Sequence, residues 1–167
     1  MTVSGDGFVT LADGSQRWGR YGAAGVLVRH LDDDGEPHFF LALRSSMTHR
    51  GGTWAVPGGA LNHGEAALEG ALREFAEEIG HQLDRFEVAH TYEDDHGGWT
   101  YTTVVIDVPE RFDPPAVLQW ETADCRWVHA SELAELELFD AFRTTLVELG
   151  LLRGERLVDG PLGLPEK

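Results

Sequence analysis

The sequence predicts an α/β protein in which a mixed β-sheet is sandwiched between helices (α/β/α). Two observations carry this prediction. Short runs rich in β-branched and aromatic residues recur in both halves of the chain, bounded by glycine- or aspartate-containing turns. Between them, over residues 66–79, the apolar period becomes helical: Leu68, Leu72, Phe75 and Ile79 form a stripe, and Gly80 supplies the stop. The resulting order, β-β-helix-β-β-β-helix, places helices on both faces of one sheet.

The elements follow in sequence. Residues 8–18 hold two short runs around Asp13-Gly14, which predicts a small hairpin. YGAAGVLVRH (21–30) and PHFFLALRS (37–45) are strand-like and are joined by the turn-forming DDDGE. SMTHRGGTWAVPGG (46–59) reads as a long glycine-rich loop. After the helix, RFEVAHTYED (85–94) and WTYTTVVIDV (99–108) read as strands around the turn His96-Gly97-Gly98. CRWVHA (125–130) is a further short strand, Ser131 opens a helix in SELAEL, and DAFRTTLVELG (140–150) is another helix. The expectation is a single domain over residues 1–150 with an N-terminal hairpin extension. Residues 151–167, with three glycines and two prolines, are expected to be a loosely structured tail.

The bulk numbers narrow the function. A chain of 167 residues buries roughly 70% of its unfolded surface, enough for one real core. Thirteen basic against 29 acidic residues give a net charge of -16, unsuited to gripping a nucleic-acid backbone or an anionic membrane. The only lysine is Lys167, so any phosphate must be met by arginine or a metal. Cys125 is the only cysteine, which excludes an intrachain disulfide and fits a small buried hydrophobe. With neither a basic leader nor an apolar run at the start, a cytoplasmic protein is expected.

LREFAEEIG (72–80) sets the functional question. Glu74, Glu77 and Glu78 stand at i, i+3 and i+4 on one helical face, where like charges repel by roughly 0.2–0.5 kcal/mol per pair. No lysine is available to pair along that face. Ala67 and Gly70, a turn earlier, are small enough to leave room above it. Clustered carboxylates beside a glycine-rich loop suit a hard divalent cation such as Mg²⁺, which takes one or two carboxylates, water and substrate phosphate oxygens.

GALNHGEAALEGALREFAEEIGH (59–81) fits the pattern G-x5-E-x7-R-E-U-x-E-E-x-G-U, U being a bulky apolar residue. Gly59, Glu65, Arg73, Glu74, Glu77, Glu78 and Gly80 fill every fixed place. The chain therefore resembles the Nudix hydrolase family, of the MutT-like kind. Phe75 is larger than the usual aliphatic residue, and His81 replaces an aliphatic one, which bears on local packing. The resemblance implies the Nudix fold and hydrolysis of a nucleoside diphosphate linked to another group, with Mg²⁺ (or Mn²⁺) as cofactor. It places Gly59, Glu74, Glu77 and Glu78 as metal ligands and Glu65 as the supporting partner of Arg73. A further acid after the box often acts as ligand or base. Glu121, six residues before Trp127, has that place, and Asp94 and Asp95 are weaker rivals. The catalytic residues it points to are Arg73, Glu74 and Glu121, with the choice of base between Glu74 and Glu121 open.

On the substrate side, Arg44 is the leading phosphate contact, ahead of Arg20 and Arg50, because a guanidinium fork matches phosphate oxygens. Trp54, Tyr101 and Trp99 are candidates for stacking a base or sugar. His49, His63 and His96 lack metal-ligand spacing. The proline and tyrosine markers of the ADP-ribose and dinucleoside polyphosphate subfamilies are absent after the box, which favours a nucleoside triphosphate or a modified nucleotide. ADP-ribose or another sugar nucleotide is the alternative, as is a non-catalytic nucleotide-binding regulator, although such domains typically lose box glutamates. Isomerase chemistry calls for a cysteine that Cys125 does not obviously supply. The partner expected is a small nucleoside diphosphate derivative; related domains often pair as homodimers, but no segment here declares an interface.

Overall fold

The computed structural model describes residues 1–154, 161 and 162. Its centre is β3 (Ala23–Leu31), whose first six residues are all buried. A stretch apolar at consecutive positions has no polar side to turn to water, so it belongs inside a sheet covered on both faces. One edge of β3 pairs in parallel with β8 (Thr100–Asp107), Ala23 opposite Tyr101 and Arg29 opposite Asp107. The other edge is shared by two antiparallel neighbours. β4 (Pro37–Arg44) takes residues 28–31, and β6 (Gly58–Ala60) takes residues 23–25. β4 also pairs with β9 (Thr122–His129) and with β5 (Trp54–Ala55), while β7 (Glu87–Asp95) closes the far side against β8. These seven strands form one mixed sheet among the described residues.

Alternation along the strands feeds two cores. Val26, Val28, Phe40, Val104 and Ile106 face α1 (Ala67–Ile79) and its Ala71, Phe75 and Ile79. Leu27, Phe39, Leu41, Val105 and Val128 face the other way. They are covered by a 3₁₀ turn (Ala130–Glu135) and α2 (Asp140–Glu148) through Leu133, Phe142 and Leu146. The α/β/α sandwich predicted by the element order is the fold observed. Outside the sheet, β1 (Phe8–Thr10) and β2 (Gln16–Trp18) form the expected N-terminal hairpin.

Several local expectations change. The stretch 46–59 is not all loop, because it contributes β5 and most of β6, held by partners far away in the chain. Residues 131–136 do not start an α-helix; the turn there is 3₁₀ and ends against Leu136. On α1, Gly70 is buried, and a Cβ there would meet Glu65 Oε1 at 2.8 Å and collide with the side chain of Leu61. The space above the acidic face at that point is therefore filled by the protein's own loop. The tail differs at its start: Leu151 and Leu152 are buried in the α2 core, and Leu162 N donates to Leu149 O. Apolar side chains at the end of α2 find the core within reach despite the neighbouring glycines. Residues 155–160 and 163–167 of the expected tail lie outside the described residues.

Candidate active site

The site forms where the backbone of β6 presses on the polar face of α1. Gly58 N donates to Glu78 Oε2 at 2.9 Å. A Cβ on Gly59 would stand 2.5 Å from the Glu74 carboxylate, and a Cβ on Gly58 would stand 2.5 Å from Ala24 O and 2.7 Å from the Tyr101 hydroxyl. Gly58 requires glycine because the backbone of β3 approaches too closely for any side chain, whereas a side chain at Gly59 would push the Glu74 carboxylate aside.

Arg73 is the hub of the loop–helix junction. It donates through Nε and Nη2 to the two oxygens of Glu65 at 2.9 and 2.8 Å, and through Nη2 to Ala60 O at 2.9 Å. Its Nη1 reaches Glu74 Oε1 at 2.9 Å, with Glu77 further off at 3.5 Å. Glu65 also accepts from Asn62 N, which closes the loop on itself. A planar fork with five donors can hold this many acceptors at once, whereas an ammonium cannot. The bond from Arg73 holds the Glu65 carboxyl below the usual range.

Burial dominates the other two glutamates. Glu78 is pushed up to about 8, chiefly by desolvation, then by the charges of Glu74 and Glu121, with the Gly58 N–H and Arg44 opposing. Glu74 is also raised, first by burial, against the pull of Arg73. Glu77 remains solvent-facing, its side chain 60% exposed. The box thus contains a graded set: one carboxylate clamped, two half-buried and raised, one open.

The remaining candidates separate. Glu121 is exposed in the turn just before β9, where its carbonyl accepts from Ser45 N, and its charge acts on Glu78. Arg44 acts on the same carboxylate; its Nε donates to His49 O, and its guanidinium lies 5.0 Å over Phe139. Tyr101 reaches the site by its hydroxyl, packed against Gly25 and Gly58, rather than by an open ring face. Trp54 is a correction. It is only 6% exposed, belongs to the α2 core and has Arg126 4.5 Å over its ring, so it has no face to offer a base. Trp99 is likewise buried, with Nε1 donating to Gly19 O. Asp94 is engaged by His96 at 3.0 Å, and Asp95 caps the Gly97–Gly98 turn. His49 and His63 contribute backbone groups, to Arg44 and to Val3. Burial pushes the Cys125 thiol up to about 11, which makes it a packing residue.

Among the described residues no three acidic, imidazole or thiol groups already converge on one point. Glu74 is drawn to Arg73 and Glu78 to Gly58 N. The donor set nevertheless suits a hard divalent cation: Glu74 and Glu78 are half-buried carboxylates raised by desolvation, and Glu77, one turn from Glu74 on the same helix, is exposed. The Glu74 carboxylate lies directly against the Gly59 backbone. Sequence reading missed the part played by Gly58, whose signal was its place beside Gly59 in a stretch that pairs with β3.

Hard carboxylate oxygens beside a glycine turn, on the first helix of an α/β/α sandwich, are the donor type that a hard divalent cation takes. The NUDIX domain model matches residues 21–149, and the chain belongs to that family. It is 43% identical over 146 residues to the Mycobacterium tuberculosis protein named "Putative 8-oxo-dGTP diphosphatase 3", covering 83% of this chain and 65% of that one. The chain thus spans somewhat less than two thirds of that relative's length. A Bifidobacterium longum "Nucleoside triphosphate pyrophosphatase/Nudix hydrolase fusion protein" is 37% identical over 143 residues, 84% of this chain and 30% of its own. Among solved structures, the Nudix hydrolase RenU of M. smegmatis superposes with a TM-score of 0.74 at 38% identity, covering 83% of this chain and 88% of that chain. Among the described residues no helix is long and apolar enough to cross a membrane.

Proposed function

We propose that the chain is a Mg²⁺-dependent pyrophosphohydrolase that cleaves a nucleoside diphosphate linked to another group and releases a nucleoside monophosphate. The preferred substrate on this reading is a nucleoside triphosphate or an oxidised or otherwise modified one. The observation that carries the proposal is Glu78: its carboxyl accepts from a glycine-loop amide and is raised to about 8 by desolvation, with the charges of Glu74 and Glu121 acting on it. Such a group is costly for the fold unless its charge has a use. The names that the M. tuberculosis and B. longum relatives carry support the triphosphate class.

Gly59, Glu74, Glu77 and Glu78 hold the cation in this proposal, with Glu121 at the mouth. When bound, Mg²⁺ offsets pyrophosphate charge and acidifies water. Arg73 and Glu65 keep the loop seated on the helix, and Arg44 meets a phosphate oxygen. Glu121 takes the proton of the attacking water, because Glu74 is engaged by Arg73 whereas Glu121 is exposed. The catalytic unit is residues 1–150, working in the cytoplasm.

The test is a substrate panel with Mg²⁺ and a chelator control, products resolved by chromatography. It holds nucleoside triphosphates, oxidised and methylated forms, ADP-ribose and a dinucleoside polyphosphate. Metal-dependent monophosphate release from a triphosphate is expected. Cleavage of ADP-ribose alone would move the substrate class, and binding without cleavage of any member would refute the hydrolase.

A further inference from the structure

Gly25 and Gly58 stand opposite one another where β3 pairs with β6, and neither has room for a side chain. One oxygen atom takes up space at both. A Cβ on Gly25 would collide with the Tyr101 hydroxyl, and a Cβ on Gly58 would stand 2.7 Å from it. Tyr101 belongs to β8, on the other edge of β3, where it lies opposite Ala23. Its side chain therefore crosses β3 and delivers the oxygen over the paired glycines, with the Trp99 ring 6.4 Å from its own. Gly58 is also the residue whose N–H holds Glu78 Oε2 at 2.9 Å. A single glycine thus separates the phenol oxygen from a carboxylate of the site.

The protein itself makes no use of this hydroxyl. Among the described residues no group accepts its proton or donates to it, whereas hydroxyls drawn into a fold ordinarily find a partner. Nor is it sealed away: Tyr101 is half-buried, and its oxygen keeps contact with solvent. Packing alone does not account for it, because the end of a phenylalanine ring would fill the slot without leaving a polar atom unpaired. We infer that the Tyr101 hydroxyl donates a hydrogen bond to a phosphate oxygen of the substrate, from the slot left by Gly25 and Gly58. An anionic substrate is repelled by each carboxylate of the site, so it needs donors there. Arg44 is one, with its Nε already given to His49 O. Tyr101 adds a donor that carries no charge: burial, then the charge of Glu78, holds its proton on against the pull of Arg44. Phosphate, and not base or sugar, is the group met at this point, because the oxygen adjoins the glycine turn and the carboxylates proposed to hold the cation.

This inference rests on the proposed hydrolase reading, and two measurements keep them apart. Tyr101→Phe is compared with wild type, as the full chain in Mg²⁺, by calorimetric binding of inorganic pyrophosphate and by kcat/KM for dGTP. Mn²⁺ affinity, from the electron paramagnetic resonance signal of the free ion, and melting curves are the controls. A hydrogen bond to a charged oxygen is lost, so pyrophosphate binding and kcat/KM should each fall about tenfold or more. Mn²⁺ affinity should stay within about twofold and melting should not drop, because the hydroxyl neither holds the metal nor bonds to the fold. Loss of Mn²⁺ affinity and of melting temperature alongside activity would make the hydroxyl a prop for Gly58 and overturn its role as a donor. Turnover and pyrophosphate binding that match wild type would overturn the role of Tyr101 alone. A wild-type chain that cleaves nothing, yet binds pyrophosphate more tightly than Tyr101→Phe, would overturn the hydrolase reading and keep the contact. A wild-type chain that neither binds pyrophosphate nor cleaves would overturn both.

Discussion

Changing Glu78 to glutamine separates what this carboxylate does for the fold from what it does for chemistry. The amide is nearly isosteric with the protonated acid, and its oxygen can still accept from Gly58 N, so the loop keeps its anchor. What disappears is a largely desolvated charge. The carboxyl is held at about 8 in the folded chain against an ordinary 4.5, chiefly by burial. Below 4.5 it is protonated in both folded and unfolded states, and the substitution is neutral. Between 4.5 and about 8 the unfolded chain releases the proton while the folded chain retains it, so wild-type stability falls as pH rises; above about 8 the penalty is constant. At 1.36 kcal/mol per pH unit of displacement, reduced for relaxation and water entry, the full penalty is roughly 2–5 kcal/mol. Metal-free Glu78→Gln should therefore match wild type in urea unfolding at pH 4.5 and exceed it by that margin at pH 8.5. Turnover with Mg²⁺ should fall by about 100-fold or more, since even residues behind a metal's ligands matter 10–100-fold. A variant as active as wild type, or one less stable than wild type at pH 8.5, would refute the assignment of Glu78 as a strained ligand.

Three other outcomes follow from the same geometry. Gly59→Ala places a methyl group 2.5 Å from the Glu74 carboxylate; it should lose Mn²⁺ affinity and activity while costing about 1–3 kcal/mol in denaturant unfolding. Arg73→Lys cannot bridge both Glu65 oxygens and Ala60 O, and should lower stability by roughly 1.5–3 kcal/mol with activity falling further, as measured by melting and by kcat. Because Glu78 must release its proton to bind a cation, Mn²⁺ affinity should rise up to about tenfold per pH unit below about 8 and then level off. Calorimetry in buffers of different ionisation enthalpy should record the proton release below that pH.

The long elements were legible because each repeats one physical instruction many times. The buried side of α1 announces itself through Phe75 and Ile79, and Gly80 ends the helix in the left-handed conformation that its place predicted. The seven fixed letters of the box are equally readable, since the chemistry constrains residue type and spacing together. What failed was short or nonlocal. β5 and β6 are two and three residues long and exist only because β4 and β3 supply their partners, so no period in Trp54-Ala55 or Gly58-Gly59 could show them. Trp54 looked available because it sits among glycines, but Leu138 and the α2 core enclose it. The place of Glu121 depends on a register, Thr122 opposite Arg44, that joins segments 78 residues apart.

The parallel pairing of β3 with β8 also bears on how the chain comes off the ribosome. The Arg29–Asp107 pair that closes it spans 78 residues. At 5–20 residues per second, about 4 to 16 s pass between the synthesis of its two halves. During that interval one edge of β3 can be satisfied by β4 and later by β6, both of which emerge early. The opposite edge, running along the apolar stretch Ala-Ala-Gly-Val-Leu-Val, has no partner until residues 101–107 are made. A nascent chain is therefore sticky along a single, definable line, and its safety during synthesis depends on how quickly the second half of the sheet arrives.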